Sequence, residues 1–214
     1  MGFALHNKSL WMSVSVSIVG IIATLFFPTD GGIQKLVSTA LFLVAMPLLY
    51  IHFFERGNYE QYGVSLGRIF RGMTALVIAL VCTVLVLWGL HAYTDVLTRV
   101  SLPMIIRQQF WMFVLYVVVA GIYIGIFEFF FRGFVLCMWE KKSRIGAIGI
   151  QGILFSSMLV VQSQFRIDEL TIAMIGMAFV SGCIALISRS FLYSFLFSYI
   201  SAILGIVSVF VFVQ

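Results

Sequence analysis

The chain has 214 residues, of which 62% are hydrophobic and only 10% are charged, with a formal net charge of +5. A soluble domain carries about 25% charged residues, so this composition excludes an ordinary soluble domain and indicates a polytopic membrane protein. The length fits a single integral membrane domain, residues 1–214, without a large soluble module. The basic residues are too thinly spread to indicate nucleic-acid binding, and in a membrane protein they mainly report topology.

A membrane-spanning helix needs about 20 mostly apolar residues. Seven segments meet this requirement: residues 9–27, 36–54, 72–93, 109–137, 145–162, 170–188 and 190–212. Arg189 is almost the only break between the last two segments, so six spans or eight helical pieces are alternatives. The predicted fold class is all-α, a polytopic transmembrane helix bundle with about seven spans.

Basic residues in short loops predict the orientation, because they are enriched on the cytoplasmic side. With seven spans, one side carries Lys8, Arg56, Arg68, Arg71, Lys141, Lys142, Arg144 and Arg189. The opposite side carries only Lys35, Arg99, Arg107 and Arg166. This asymmetry predicts a multi-pass protein of the cell membrane with its N-terminus in the cytoplasm.

Small residues predict where helices approach one another closely in the bilayer. They are Gly121 and Gly125 on the fourth span, Gly149, Gly152 and Ser156 on the fifth, and Ala178 and Gly182 on the sixth. We interpret them as ordinary packing contacts of a helix bundle.

Two ionisable residues, Glu128 and Arg132, interrupt the apolar run from Phe110 to Met138. Their spacing of four places both side chains on one helix face, with the acid N-terminal to the base, which is the favourable order. An ionisable residue at membrane depth costs at least about 2.5–3.5 kcal/mol and indicates a functional site by default. The alternative is a self-neutralised pair near the headgroups, with Arg132 snorkelling to water.

The segment Phe127–Gly133, FEFFFRG, resembles the first motif of the CPBP family. These are the CAAX-protease and bacteriocin-processing membrane proteins, which are also called Abi proteins. Their motif reads Glu-Glu-x-x-x-Arg, so its second Glu falls on Glu128 and its first Glu falls on Phe127. The aromatic residues around the motif suit a lipid-facing or helix-docking surface; they are Phe127, Phe129, Phe130, Phe131 and Phe134.

Two later segments resemble the other motifs of the family. The Phe-x-x-x-His motif falls on Phe155 and Leu159, and the final His-x-x-x-Asn motif falls on Ser198 and Ala202. The resemblance covers residues 60–205 and implies a CPBP/Abi-like core. It also implies an intramembrane glutamate protease, in which Glu and His arrange an attacking water or a metal and Asn helps form the oxyanion site.

The residues at those positions do not supply this chemistry. Phe127, Leu159, Ser198 and Ala202 cannot act as general bases, and the three apolar ones cannot coordinate a metal. The three histidines, His6, His52 and His91, all precede the fourth span and are not expected to meet Glu128 at one metal ion. The sequence therefore predicts a degenerate site with no catalytic residue, no metal and no other cofactor.

We interpret the residual site, which comprises Glu128, Arg132, Phe155 and Ser198, as a structural polar core. Arg132 offers five donors, more than one carboxylate uses. We expect the remaining N–H donors of Arg132 to bond polar groups on the fifth and seventh spans: Gln151, Ser156, Ser157, Gln162, Ser194, Ser198 and Ser201.

By the resemblance, such a protein acts in the lipid bilayer as a scaffold or regulator of a membrane-anchored partner. Degenerate relatives in Gram-positive bacteria are associated with the control of cell-envelope enzymes and sensor kinases. We therefore expect a single-span partner, either a cell-wall hydrolase or a signalling kinase. Two alternatives are open: an active CPBP-type endopeptidase that uses Glu128 with a water held by Ser198 or Gln162, and a bacteriocin self-immunity protein.

Overall fold

The computed structural model describes residues 2–55, 59–93, 109–165 and 167–212. Within these ranges the regular secondary structure is entirely helical. The long helices are α1 (Gly2–Phe26), α2 (Gly32–Phe54), α3 (Ile69–Tyr93), α4 (Phe110–Glu140), α5 (Arg144–Gln162), α6 (Glu169–Ser188) and α7 (Phe191–Phe212). A short 3-10 helix, Tyr59–Tyr62, precedes α3.

Each predicted apolar segment coincides with one of these helices. In the described part of the chain, the six helices α2 to α7 are long and apolar enough to cross a membrane, and the part of α1 whose side chains are described, Met12–Phe26, is apolar but shorter. The predicted all-α class is confirmed, and the expected number of about seven spans agrees roughly with this count. The helices are compatible with a multi-pass membrane protein in a lipid bilayer.

The orientation in the membrane stays a prediction. Of the basic residues used for it, Arg56, Arg99, Arg107 and Arg166 lie outside the described residues, as does the side chain of Lys8. The side chain of His6 also lies outside them.

The boundary between α6 and α7, which the sequence left open, is a two-residue turn. Arg189 has a left-handed backbone conformation, with φ of 56°, and this ends α6 at Ser188. The turn is held by the preceding loop, because the Arg68 amide donates to the Ser188 carbonyl at 2.6 Å. The Ser190 hydroxyl also donates to the carbonyls of Gly63 and Ser65 in that loop. The last two predicted spans are therefore two separate helices.

Three apolar clusters hold the described part of the bundle together, two main ones and a small one of Leu136, Ala147 and Ala185 that joins α4, α5 and α6. The larger main cluster joins α4 and α5 to α1 and α2, with Phe130, Phe131 and Phe134 of α4 packed among Leu43 and Tyr50 of α2. The smaller main cluster joins α3 to α6 and α7 through Leu76, Ala79, Ile184, Tyr193 and Phe197. α4 contributes to the largest and the smallest cluster and also contacts α7.

Close helix contacts occur at several of the predicted small residues. A Cβ atom added at Gly121 would lie 2.8 Å from the Tyr199 ring of α7, and one at Gly152 would lie 2.4 Å from the Phe179 ring of α6. One at Gly182 would lie 2.5 Å from the Gln151 amide nitrogen. These packing predictions are confirmed, whereas at Gly149 the prediction of a close contact is wrong because an added Cβ meets no atom within 4 Å.

Candidate functional site

A change of helical winding in α4 positions the candidate site. The helix is α-helical through Glu128, and Phe129–Val135 then forms a π-helical segment that contains Arg132. Such segments are rare and frequently lie at functional sites. All seven of its residues are buried.

The expectation of a lipid-facing or helix-docking surface is therefore wrong for four of the five aromatic residues. Phe130, Phe131 and Phe134 are fully buried and Phe129 is 8% exposed, because this part of α4 lies in the interior of the bundle. Phe127 is partly buried and packs against the larger apolar cluster.

Glu128 and Arg132 form a buried ion pair. Their Oε1 and Nη1 atoms are 3.4 Å apart, and the side chains are 3% and 2% exposed. The snorkelling alternative is therefore wrong, because the guanidinium is enclosed by protein rather than extended to the headgroups.

The Glu128 carboxylate also accepts hydrogen bonds from two neighbouring helices. The Ser198 hydroxyl of α7 donates to Oε1 at 2.7 Å, and the Ser181 hydroxyl of α6 lies 3.1 Å and 3.0 Å from the two carboxylate oxygens. Ser198 was predicted to take part, and Ser181 was missed. The available signal was a serine directly before Gly182, a residue already assigned to a close helix contact.

Arg132 is held by contacts of a different kind. Its Nη2 donates to the Ala178 carbonyl of α6 at 3.3 Å, and the Gln151 amide of α5 donates to the same carbonyl at 3.1 Å. The guanidinium carbon lies 4.7 Å from the centre of the Phe155 ring, a cation–π contact. Within the described residues, Nε and Nη1 of Arg132 have no hydrogen-bond partner.

Several predicted donors do not bond the ion pair. The hydroxyls of Ser156, Ser157 and Ser194 donate to carbonyls of their own helices, those of Gly152, Ile153 and Phe191. A serine in a membrane helix commonly does this, because the carbonyl three or four residues earlier is within reach. Ser201 and Gln162 line the cavity described next, and the Ser201 hydroxyl has no partner within the described residues.

A cavity of about 770 Å³ lies between α3, α4, α5, α6 and α7, with Glu128 and Arg132 in its wall. Most of its other lining residues are apolar. The wall includes every position that the family resemblance selected: Phe127, Glu128, Arg132, Phe155, Leu159, Ser198 and Ala202. Positions predicted from three separate segments are therefore brought together by the tertiary structure.

The chemistry of this wall is limited. Among the described lining residues Glu128 is the single carboxylate, and none is a histidine. The described part of the chain contains no group of three or more His, Cys, Asp or Glu side chains that could hold a metal ion. His52 lies elsewhere, 3.3 Å from the Tyr59 hydroxyl.

No protein-family model, curated protein or solved structure matches this chain. Membership of the CPBP family therefore stays a prediction, and the site is interpreted from its own geometry. It combines an enclosed ion pair, which can hold three helices together, with an apolar space, which can bind an apolar ligand or protein segment.

Proposed function

We propose that this protein is a catalytically inactive membrane scaffold or regulator that binds a transmembrane segment of a membrane-anchored partner. The observation that carries the proposal is the engagement of Glu128 by Arg132, Ser181 and Ser198. A general base must be able to reach the proton of its substrate. A carboxylate already occupied by a cation and two hydroxyls is suited to structure rather than to proton transfer.

The walls of the cavity support a helical partner. Gly176 of α6 and Gly205 of α7 both line it, and a Cβ added to either would meet no atom within 4 Å. Small residues allow transmembrane helices to approach closely, and here these two face unfilled space. A spanning helix is about 10 Å wide and 30 Å long, so it exceeds the cavity, and we infer that it lies across the opening with its side chains inserted.

The CPBP/Abi resemblance supports a partner that is a single-span protein of the bacterial cell envelope. We propose that this partner is a cell-wall hydrolase or a sensor kinase. The test is purification of the tagged protein from native membranes in mild detergent, followed by mass spectrometry. We expect one membrane partner in near-stoichiometric amount.

Variants make this purification decisive. Gly205→Leu fills the cavity and is expected to release the partner, whereas Gly149→Leu, at an equally open position outside the cavity, is expected to retain it. Retention of the partner by Gly205→Leu would contradict docking at this site.

One contact favours the second candidate, an active endopeptidase. The Ser198 hydroxyl and Glu128 carboxylate are 2.7 Å apart in the wall of the cavity, where a substrate or water could reach them. The double variant Glu128→Gln/Arg132→Met removes the acid without leaving an unpaired charge. Accumulation of uncleaved membrane proteins in a strain carrying this variant, with the protein still folded, would support the peptidase over the scaffold.

A further inference from the structure

Three exposed arginines lie at one end of the bundle, where the loop before α3 meets the turn between α6 and α7. Arg68 directly precedes α3, Arg71 follows about one turn later, and Arg189 forms the turn. The loop and the turn are in direct contact, because the Arg68 amide donates to the Ser188 carbonyl at 2.6 Å. A Cβ added at Gly67 would lie 3.0 Å from the Arg189 carbonyl oxygen. Tertiary packing therefore brings together positive charges from distant parts of the chain.

These three side chains differ from the other basic residues at this end. Within the described part of the chain, Arg68, Arg71 and Arg189 form no ion pair. The other described basic residues here each have a contact: Arg144 lies 3.4 Å from Glu140, Lys141 donates to Gln61 at 3.1 Å, and Lys142 lies 5.8 Å from the centre of the Trp139 ring. Like charges repel when no acid lies between them, so this cluster of arginines indicates an anionic partner.

The backbone of Arg189 is a second indication that its side chain has a role. Its φ of 56° is a left-handed conformation that disfavours most residues and is usually occupied by glycine. Hydrogen bonds hold the turn in this form, because the Ser190 hydroxyl donates to the Ser65 carbonyl and the Ser188 hydroxyl donates to the Ser190 carbonyl at 2.9 Å. Glycine would suit this turn better, so the backbone conformation does not account for an arginine here.

The neighbouring residues favour a lipid as the anionic partner. Arg68 and Arg189 directly flank helices that are long and apolar enough to cross a membrane, so in a bilayer both lie near the headgroups. Ile69 and Phe70, between Arg68 and Arg71, are 56% and 85% exposed. Exposed apolar side chains beside basic ones enter the boundary between headgroups and acyl chains. One anionic phospholipid satisfies both features, because its phosphate can pair with arginine while its acyl chains contact Ile69 and Phe70.

We infer that Arg68, Arg71 and Arg189 form a binding site for the headgroup of an anionic phospholipid. Guanidinium groups suit this ligand, because their planar donors bind two phosphate oxygens at once. None of the three arginines lines the cavity, so this site is separate from the one proposed for the partner helix.

The test is native mass spectrometry of the full-length protein in mild detergent micelles. The protein is titrated with phosphatidylglycerol, which is anionic, or with phosphatidylcholine of the same acyl chains, which has no net charge. One basic residue near an anionic lipid surface is worth about fivefold in affinity, so we expect phosphatidylglycerol to bind at least about fivefold more tightly. The preference is expected to fall as the salt concentration is raised.

Arg189→Gly is the most informative variant, because glycine favours this backbone conformation and the turn is expected to keep its fold. We expect its thermal stability without phosphatidylglycerol to be unchanged or higher, and its affinity for phosphatidylglycerol to fall about fivefold. Arg68→Gln/Arg71→Gln changes two exposed side chains and leaves the turn intact, and it is also expected to lose the preference.

Two variants that remove one positive charge elsewhere are the matched controls. Arg144→Gln removes a cation at the same end that already pairs with Glu140. Lys35→Gln removes one near the start of α2, whose other end adjoins the loop through the contact between His52 and Tyr59. Both variants are expected to keep the preference for phosphatidylglycerol.

Three results would overturn the inference. The first is equal affinity of the native protein for the two lipids. The second is a loss for Arg144→Gln or Lys35→Gln as large as that for Arg189→Gly, because general charge attraction would then be the cause. The third is displacement of phosphatidylglycerol by soluble glycerol phosphate, which would assign the arginines to a free anion. Each result would leave helix docking at the cavity standing, since Gly205→Leu tests it separately.

Discussion

We expect Glu128→Ala to lower the free energy of unfolding by about 4 kcal/mol. The substitution removes the counter-ion of a guanidinium that is 2% exposed, and breaking a buried ion pair in this way costs about 3–5 kcal/mol. Ser181 and Ser198 lose their charged acceptor at the same time. After the change Arg132 keeps, among the described residues, one hydrogen bond to the Ala178 carbonyl and the contact with the Phe155 ring.

The measurement is reversible unfolding of the purified protein by SDS in mixed micelles, followed by circular dichroism. The control is Glu128→Gln/Arg132→Met, which removes both charges and retains an amide oxygen for the two serines. Replacing a complete buried pair with neutral side chains is often close to neutral, so we expect a loss at least about 2 kcal/mol smaller than for Glu128→Ala.

A loss below about 1 kcal/mol for Glu128→Ala would refute the reasoning, since that is the range of an exposed ion pair. It would mean that water reaches Arg132 through the cavity and solvates the charge. Equal losses in the single and double variants would also refute it, because the unpaired charge would then not be the cause.

Two further predictions concern the ends of helices. Gly67→Ala is expected to destabilise the protein by at least about 1–2 kcal/mol, measured by the same SDS titration, because Gly67 has φ of 52° and an added Cβ would meet the Ser188 carbonyl oxygen. Gly149→Ala, where the space is open, is the control and is expected to lose no stability. Asp168 caps α6 by accepting hydrogen bonds from the Thr171 hydroxyl and amide, and these lower the pKa of its carboxyl. Its stabilisation is therefore complete above the unfolded pKa of about 3.9 and is lost as the pH falls through the lower folded value. Thermal unfolding is expected to show a larger loss of stability on acidification for the native protein than for Asp168→Asn. Identical losses of stability would contradict the cap.

The helical fold could be predicted from the sequence because membrane spans are encoded locally. A run of about 20 apolar residues must form a helix in lipid, where each backbone polar group needs an internal partner. Glu128 and Arg132 were likewise predictable as an interacting pair, since four residues correspond to about one helical turn. The π-helical winding over Phe129–Val135 was not predictable, because it depends on the packing of α4 against its neighbours.

The partners of the ion pair depended on the rotation of each helix about its own axis. Ser156 and Ser198 are both serines in apolar helices, yet one bonds its own backbone and the other bonds Glu128. Spacing within a helix does not show which of these occurs. The Ala178 carbonyl was missed as a ligand of Arg132 because every residue has a carbonyl and no side-chain pattern marks one as an acceptor.

The class of protein, the approximate spans and the intramembrane charges were predictable, because they follow from local composition and helical spacing. The tertiary structure was needed to show that Arg132 is enclosed, that α6 supplies Ser181, and that the Ser201 hydroxyl is buried without a hydrogen-bond partner among the described residues. The physical reason is that burial and interhelical bonding depend on how α4, α6 and α7 pack together. These helices meet through residues that are 46 to 70 positions apart in the chain.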